Sequence, residues 1–431
     1  MKYADFVKKE LFEKIAELSI EKDQFVKNPG RDFSRERKLS FSTMIHMIIS
    51  MGSEAIKDEL HKWFHYNIDT ATSSAFVQQR SKINPEAFKY LFDSFNDSFK
   101  RHKKFKGYYL LAVDGTKITY QPNPKDIDNF IRTGPDSKGY NQFLLNTVYD
   151  VLSRRYVDVI IEPTIGSNEN KAFYDFVDSY DYNEKAIFIA DRNYEAYNSF
   201  AHCIEHHKKF VIRAKDINSS GILQSLKLPE CNEFDVDITL KITRRQTKEI
   251  KKDKSFKFLP KNCTFDYVEG KNIYPISFRV VRFKLDDSSY ECIITNLDRN
   301  EFSVEEIKEL YHMRWGVETS FRELKYAIGL LAFHSKKAEF VKQEIYARLI
   351  LYNFCEIITI SVIVTKKDRK YEYQLNFTRA IHICRYFLNY LNESPPDVET
   401  LISKELLPVR PGRKDPRKVR FRSPVHFNYR F

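Results

Sequence analysis

Residues 311–325 read YHMRWGVETSFRELK, and this stretch decides the fold. On a helical wheel that turns about 100° per residue, four polar side chains fall within about 60° of one another: Tyr311, Arg314, Glu318 and Lys325. An adjoining apolar stripe is suited to pack on a core: Leu310, Val317, Phe321, Leu324 and Ile328. The pattern predicts one helix with a docking face and a polar face. A solvated helix with the pairs Arg314–Glu318 and Glu318–Arg322 is the alternative interpretation.

The spacing of the polar residues is Tyr, two residues, Arg, three residues, Glu, six residues, Lys. It resembles the signature of a large group of bacterial insertion-sequence transposases, the Tyr-Arg-Glu-Lys group of insertion-sequence family four. Members of that group are DDE enzymes with an RNase H-like core, and the Glu of this helix is their third metal-binding carboxylate. The resemblance implies two aspartates upstream, each at the end of a strand.

Two carboxylates follow apolar runs upstream. Residues 108–113 form a continuous apolar run that ends in Asp114, and residues 185–190 (KAIFIA) end in Asp191. Such runs are typical of strands buried on both faces. A carboxylate at the end of a buried strand is costly unless it is paired or binds a metal. The alternative is an ordinary turn residue, a frequent role of Asp.

The elements around these aspartates are predicted from the same patterns. Further strands are expected at 143–151, 156–161 and 208–214, and helices at 168–180 and 194–207. Three strands, a helix, a strand, a helix and a strand is the order of the RNase H-like fold that the resemblance implies. It places the two aspartates on the first and fourth strands.

The second motif block of the family usually reads Ala-Asp-Arg-Gly-Tyr. Here Asn193 replaces the glycine. Because Asn tolerates the left-handed backbone nearly as well as Gly, we expect the turn to be kept.

The composition limits the classes of protein. A chain of 431 residues has room for several domains, and its net charge of +12 favours a polyanionic partner, although a merely basic protein has the same property. The six cysteines show no CxxC or Cys/His cluster, which argues against a zinc site and a disulfide framework and fits a reducing cytosol. The N-terminus lacks the apolar core of a signal peptide. Charged residues interrupt the most apolar run, 344–364, so we expect a buried helix and no membrane span.

The predicted fold class is α/β, with five segments. Residues 1–106 form an N-terminal helical DNA-binding domain, and 107–215 form the first part of the RNase H-like core. Residues 216–300 form a β-rich insertion, and 301–365 form the second part of the core with the Glu318 helix. Residues 366–431 form a C-terminal helical region with a basic tail.

A helix predicted at 72–83 carries the candidate base-reading residues Gln78, Gln79 and Arg80. Short helices with Gln and Arg are what a helix-turn-helix presents to the major groove, and the resemblance implies a DNA-binding domain here. A plain helical bundle with a polar surface helix explains the pattern as well.

Within the insertion, residues 235–243, 274–285 and 290–295 alternate and predict a small β-domain. Residues 244–261 hold eight basic residues against two acidic ones. Such a run is usually a solvated loop, and phosphate contact is the more specific interpretation. Its candidate DNA contacts are Arg244, Arg245, Lys251, Lys252 and Lys254. The tail 410–422 is also basic, and it either follows the DNA backbone or keeps the chain soluble.

The resemblance implies a DDE transposase that excises an insertion sequence and transfers its strands by cut-and-paste, through a hairpin intermediate. Asp114, Asp191 and Glu318 are the implied catalytic residues, and they are also the implied ligands of two Mg²⁺ ions, for which Mn²⁺ can substitute. The implied DNA contacts beside the cut end are Tyr311, Arg314, Arg322 and Lys325.

The implied partners are double-stranded DNA, as terminal inverted repeats and target, and a second copy of the chain in a synaptic dimer. The implied location is the bacterial cytoplasm, at the nucleoid when the protein is bound to DNA. Two alternatives are an RNase H-fold nuclease without strand transfer and a transposase-derived regulator that binds DNA without cutting it. The acidic triad argues against the regulator.

Overall fold

A mixed β-sheet forms the centre of the computed structural model, which describes residues 2–135, 138–181, 183–269, 272–285, 289–363, 373–389 and 395–409. The strands of this sheet in the described residues are β1 (Tyr109–Tyr120), β2 (Phe130–Ile131), β3 (Tyr140–Asp150), β4 (Arg155–Pro163), β5 (Ala186–Ala190), β6 (Lys209–Ala214), β7 (Phe234–Thr243), β8 (Phe256–Phe258), β9 (Ile273–Lys284) and β10 (Tyr290–Thr295). They pair in the order β2-β3-β1-β5-β6-β10-β9-β7-β8, with β4 also on β3. Two short strands, β11 (Tyr373–Leu375) and β12 (Leu406–Pro408), pair separately.

Helices cover both faces of the sheet. They are α1 (Tyr3–Ile20), α2 (Phe41–Ser50), α3 (Ile56–Trp63), α4 (Ser73–Arg80), α5 (Glu86–Asp97), α6 (Glu169–Ser179), α7 (Tyr197–Glu205), α8 (Lys248–Lys252), α9 (Val304–Met313), α10 (Trp315–Arg322), α11 (Ala338–Thr359), α12 (Phe377–Asn389) and α13 (Val398–Lys404). Polar caps set several starts: the side chains of Ser40, Asn168 and Ser303 accept backbone N–H bonds at α2, α6 and α9.

The pairing around β1 confirms the predicted order of elements. β1 lies between β3, which is antiparallel, and β5, which is parallel, and β5 continues in parallel to β6. Along the chain the order is β1, β3, β4, α6, β5, α7 and β6, with only the two-residue β2 added. All five residues of β5 are buried, as expected for a central strand covered on both faces. The mixed α/β class is confirmed.

The strands of the predicted insertion extend the same sheet. β10 pairs antiparallel with β6, β9 with β10, and β7 with β9. The strands expected in the insertion are present and join the sheet of the core, and its standing as a domain stays a prediction. The alternating patterns identified the strands correctly. A strand pattern does not predict which strand it pairs with, and here β10 pairs with the free side of β6.

The N-terminal helices share one core with α11. Nearly all of α11 is buried, in agreement with the predicted buried helix. Buried side chains of α1, α2 and α5 belong to the same hydrophobic cluster as those of α11 and α12. The boundary drawn at residue 106 thus does not separate two hydrophobic cores, and the division into five domains stays a prediction.

Arg80 and Gln79 face this shared core. Arg80 is 1% exposed, and its Nη1 lies 2.9 Å from Glu344 Oε1. Burial alone would raise the pKa of Glu344, but the charges of Arg80 and His334 outweigh it and lower the pKa to about 2. Arg80 neutralises a buried carboxylate and is not accessible to DNA in this conformation, whereas Gln79 is 8% exposed and lines an open cleft beside α4. That these residues read DNA stays a prediction. Gln78, on the opposite face of α4, is exposed.

Three further expectations concern the cysteines, the membrane and the tail. All six cysteines are free. In the part of the chain that the structure describes, no helix is both long and apolar enough to cross a bilayer. The basic tail 410–422 lies outside the described residues.

Candidate active site

Parallel pairing brings two aspartates to one edge of the sheet. In the register of β1 on β5, Val113 lies opposite Ala190. The next residues, Asp114 within β1 and Asp191 just after β5, therefore lie side by side, since neighbouring strands are about 4.8 Å apart. Tyr109–Val113 and all of β5 are buried, whereas the two aspartates are partly exposed. The carboxylates lie where the pairing of β1 with β5 ends. The expectation that Asp114 ends its strand is wrong, because β1 continues on β3 to Tyr120.

Arg314 connects this edge to Glu318 on α10. Its Nη2 donates to Glu318 Oε1 at 2.7 Å, and its Nη1 lies 3.5 Å from Asp114 Oδ2. The guanidinium is only 4% exposed, whereas about a third of the Glu318 side chain is accessible. One cation therefore holds a carboxylate of the sheet and a carboxylate of the helix close together.

The helix that carries these residues is interrupted twice. The sequence predicts one helix over 311–325, but α9 ends at Met313, α10 begins at Trp315, and a π-helical turn follows at Glu323–Ala327. At the first interruption the Arg314 N–H bonds to the Tyr311 carbonyl three residues back, which is a tightened turn. Hydrophobic periodicity predicts that a helix exists, but it does not predict such local changes of winding.

The electrostatics of the edge suit a divalent cation. Burial raises the pKa of Asp114 to about 7; Arg314 opposes the rise, and the negative charges of Asp191 and Glu318 add to it. Negative charge that one guanidinium does not fully balance is relieved by a hard divalent ion, which accepts carboxylate oxygens as ligands. The three carboxylates therefore fit a metal ion of this kind.

The turn after β5 is kept, but in a different geometry from the one expected. Asp191 Oδ1 accepts the Asn193 N–H at 2.8 Å and caps a 3₁₀ turn over Arg192–Tyr194. Asn193 is not among the described non-glycine residues with positive φ. The expectation of a left-handed residue here is wrong, because the 3₁₀ turn needs only right-handed backbone, and this explains why Asn can replace Gly.

Three residues at this edge were missed by the sequence reasoning. A Cβ on Gly115 would lie 3.1 Å from Glu169 Oε1 and 2.9 Å from Asn146 Oδ1, so both side chains lie against the backbone next to Asp114. Burial and the charge of Asp191 raise the pKa of Glu169. Tyr194 is 1% exposed, its hydroxyl has no hydrogen-bond partner among the described residues, and burial and nearby carboxylates raise its pKa. Glu169 resembles a helix-start acid in the sequence, and only the register of the sheet reveals its position.

The four predicted DNA contacts on this helix differ in exposure and in the groups they contact. Tyr311 is 3% exposed within a hydrophobic cluster, and Arg314 faces the carboxylates. Both residues are buried in this conformation, and their contact with DNA stays a prediction. The Lys325 ammonium donates to Thr116 Oγ1, two residues beyond Asp114, and Arg322 is exposed.

The basic run of the insertion lies on the surface, with one exception. Arg244 donates to the carbonyls of Pro260, Cys263 and Phe265, so it holds a loop together. Its assignment as a DNA contact stays a prediction. Arg245 is half-buried. Three lysines of the run are exposed: Lys251, Lys252 and Lys254.

The family described as transposase DDE domain matches residues 105–354. The chain belongs to this family. The match begins just before β1 and ends within α11, so it contains all three carboxylates and Arg314. DDE transposases generally use a divalent metal ion, in agreement with the electrostatics of this edge. The narrower assignment to the Tyr-Arg-Glu-Lys group stays a prediction.

Curated relatives match over a short part of the chain. The putative transposase InsL for insertion sequence element IS186A of Escherichia coli (strain K12) is 33% identical over 73 residues. The transposase for insertion sequence element IS421 of Escherichia coli is equally similar. Each match covers 17% of this chain and 20% of the relative, so the chain spans about a fifth of the length of these relatives.

A solved structure resembles the fold over most of its length. It is the cryo-EM structure of the piggyBac transposase synaptic complex with hairpin DNA, with a TM-score of 0.50 and 10% sequence identity. The similarity covers 96% of this chain and 87% of that chain. At this identity the likeness shows a common fold only.

Proposed function

We propose that this protein is a DNA transposase that cuts DNA at the ends of an insertion sequence and joins those ends to target DNA. The observation that carries the proposal is the convergence of Asp114, Asp191 and Glu318 at one sheet edge. Arg314 spans two of them, and all four residues lie within the matched DDE domain. Three carboxylates on two adjacent strands and a helix are the ligand set that metal-assisted phosphoryl transfer requires.

The proposed cofactor is a pair of Mg²⁺ ions held by these carboxylates, with Mn²⁺ able to substitute. When bound, such a pair activates the attacking hydroxyl and stabilises the leaving oxygen of the phosphodiester. Arg314 orients Asp114 and Glu318 through its two contacts. Glu169 places a fourth negative charge beside Asp191, which strengthens the preference of the edge for cations.

Two exposed basic surfaces are the proposed DNA contacts. The first is the active-site rim, where Arg322 is exposed and Lys325 reaches Thr116. The second is an open cleft of about 630 Å³ beside α4. Gln78 lines it together with the exposed arginines Arg31, Arg35 and Arg37. Arginines contact DNA phosphates as bidentate donors. We therefore propose that this cleft, and not Arg80, is the DNA-binding surface of the N-terminal helices.

The reaction route and assembly are also part of the proposal. We infer a cut-and-paste route through a hairpin intermediate and a synaptic dimer on terminal inverted repeats. The support is the resemblance of the Tyr311–Lys325 spacing and the piggyBac complex, which holds hairpin DNA. The proposed location is the bacterial cytoplasm, at the nucleoid when the protein is bound to DNA.

The test uses end-labelled duplex DNA that carries the inverted repeats flanking the coding region, with Mg²⁺ and the full-length protein. Asp114→Asn, Asp191→Asn and Glu318→Gln should each abolish cleavage while DNA binding and thermal stability are kept, because these changes remove charge without changing side-chain volume. Asp175→Asn is the matched control, since Asp175 is an exposed carboxylate on the outer face of α6. Its cleavage rate should equal that of the wild type.

The reaction products of the wild type distinguish a transposase from a nuclease and from a DNA-binding regulator. Joined end and target strands support the transposase, whereas cutting without joining supports the nuclease. Binding without any cutting by the wild type supports the regulator. A substituted carboxylate that leaves cleavage undiminished does not belong to the catalytic set.

A further inference from the structure

His202, in the last turn of α7, lies between the carboxylates of Asp178, in the last turn of α6, and Asp266, in the loop before β9. Its Nδ1 lies 2.7 Å from Asp178 Oδ1, and its Nε2 lies 3.0 Å from Asp266 Oδ2. One helical turn further on, His206 Nε2 lies 3.2 Å from the same Asp178 oxygen. The ligand atoms of Asp178, His202 and His206 all lie within 4.8 Å of one another. Two imidazoles and one carboxylate therefore converge on one point.

The His202 ring is held in the orientation that a metal ligand needs. It is buried and stacks on Tyr174, with ring centroids 4.5 Å apart. Asp266, which faces Nε2, also accepts a hydrogen bond from Asn198 at 2.8 Å. A ligating histidine typically donates its second ring N–H to a carboxylate in this way. Both ring nitrogens of His202 face a carboxylate, and the Tyr267 hydroxyl also lies 3.2 Å from Nδ1. A neutral imidazole donates from only one nitrogen, so the second contact with a carboxylate requires a further proton or a cation.

The position of the cluster in the fold also favours a cation. α6 ends at Ser179 and α7 ends at Glu205, so the negative ends of two helix dipoles lie at this cluster. Glu169, at the start of α6, lies at the catalytic edge. At 1.5 Å per residue, Asp178 is roughly 13 Å further along the helix. The cluster is therefore separate from the catalytic carboxylates.

We propose that Asp178, His202 and His206 form a Zn²⁺ site distinct from the catalytic metal site. Two imidazole nitrogens with one carboxylate suit Zn²⁺, with solvent as a further ligand. Mg²⁺ instead prefers oxygen ligands. The ion connects α6 to α7, and Asp266 connects the loop before β9 to the same point. The site thereby fixes two helices that begin at the catalytic edge. In the sequence the two histidines are four residues apart, a spacing that places them on one helix face.

The experiment is a Zn²⁺ titration of the full-length protein after removal of metals with a chelator. Excess Mg²⁺ is present throughout to occupy the catalytic carboxylates, and binding is followed by calorimetry. The wild type should bind one Zn²⁺ tightly. Asp266→Asn keeps the three ligands but loses the charged partner of His202, and should weaken binding about ten- to a hundredfold. His206→Gln removes a ligand and should weaken binding at least as much.

A control variant and the absorption spectrum of bound Co²⁺ test whether the ion occupies this site. His382 is an exposed histidine of α12, and His382→Gln should leave Zn²⁺ affinity unchanged. Co²⁺ in place of Zn²⁺ should give visible absorption bands typical of nitrogen ligation, and His206→Gln should remove them. His206 is partly exposed, so its replacement should leave the fold intact; if it does not, Asp266→Asn answers the same question.

Two results would overturn the site. One is a wild type that binds no Zn²⁺ under these conditions. The other is equal Zn²⁺ affinity of the wild type, His206→Gln and Asp266→Asn, which would place the ion elsewhere.

Discussion

Two residues of α4, Gln78 and Arg80, show how neighbouring side chains on one short helix serve different purposes. Gln78 is exposed and lines the basic cleft, whereas Arg80 is buried and paired with Glu344 on α11. Both side chains have the chemistry to read a base. Burial decides between them, because a buried carboxylate without its partner is far more costly than a lost surface contact.

Replacing Arg80 should therefore affect stability, and replacing Gln78 should not. Arg80→Met leaves Glu344 without its main partner and should lower the free energy of unfolding by about 3–5 kcal/mol. The double variant Arg80→Met/Glu344→Gln should recover part of this loss, since no buried charge is left unpaired. The free energies of unfolding are measured in urea for the wild type, Arg80→Met, the double variant and Gln78→Ala. A wild-type midpoint for Arg80→Met would show that the ion pair does not stabilise the fold.

At the scale of the element, the stretch from α9 to the π-helical turn organises the catalytic edge. The resemblance of 311–325 to the family signature implied that Glu318 belongs with Asp114 and Asp191, and the structure brings Glu318 and Asp114 to the same guanidinium. The tightened turn at Arg314 was not predictable. A helical wheel assumes constant winding, and it therefore placed Tyr311 and Arg314 on an open face although both are buried.

The position of Arg314 predicts a uniform effect on catalysis. Because Arg314 contacts two of the three carboxylates, Arg314→Ala should slow strand nicking and hairpin formation to the same extent, by about tenfold to a hundredfold for one charge-assisted contact. Arg314→Lys should recover only part of the rate, because an ammonium cannot donate to both carboxylates in the fork geometry. The Mg²⁺ concentration for half-maximal rate should rise in both variants.

A time course on end-labelled DNA resolves the nicked, hairpin and double-cut products. Arg322→Ala is the comparison variant for loss of a proposed DNA contact. Arg322 is exposed on the same helix and makes no ion pair with the three carboxylates among the described residues, so this variant should leave the Mg²⁺ requirement unchanged. Hairpin formation that falls much more than nicking in Arg314→Ala would instead indicate a direct contact with the bent DNA strand.

At the scale of the whole molecule, the N-terminal helices, α11 and α12 form one hydrophobic cluster. Local patterns predicted most of these helices and the strands of the core, because periodicity depends on which face is buried. They did not predict what each face packs against. α1 and α11 are far apart in the sequence, and their contact and the addition of β10 to β6 both depend on the complete fold.

A shared core predicts one cooperative unfolding transition, and the two tryptophans can report it. Trp63 lies in α3 and Trp315 begins α10. In Trp63→Phe and Trp315→Phe, the remaining fluorescence should give the same midpoint in guanidinium chloride. Leu11→Ala in α1 and Ile345→Ala in α11 each remove a fully buried side chain, and each should shift both reporters by about 2–5 kcal/mol.

Ile20→Ala is the control for these substitutions, because Ile20 is 83% exposed and its loss should leave both midpoints in place. Two separate midpoints, with Leu11→Ala moving only the Trp63 reporter, would establish that the N-terminal helices fold independently.

The packing of α1, α2 and α5 on α11 has a consequence for synthesis of the protein on the ribosome. These three helices end by Asp97, whereas α11 ends at Thr359. At about 5–20 residues per second, the early helices wait roughly 10 to 50 s for the surface that covers them. During that time their apolar faces are open to other nascent chains. The nascent protein should therefore need a chaperone that holds its first hundred or so residues, and a cell with less of that chaperone should accumulate the protein as aggregate.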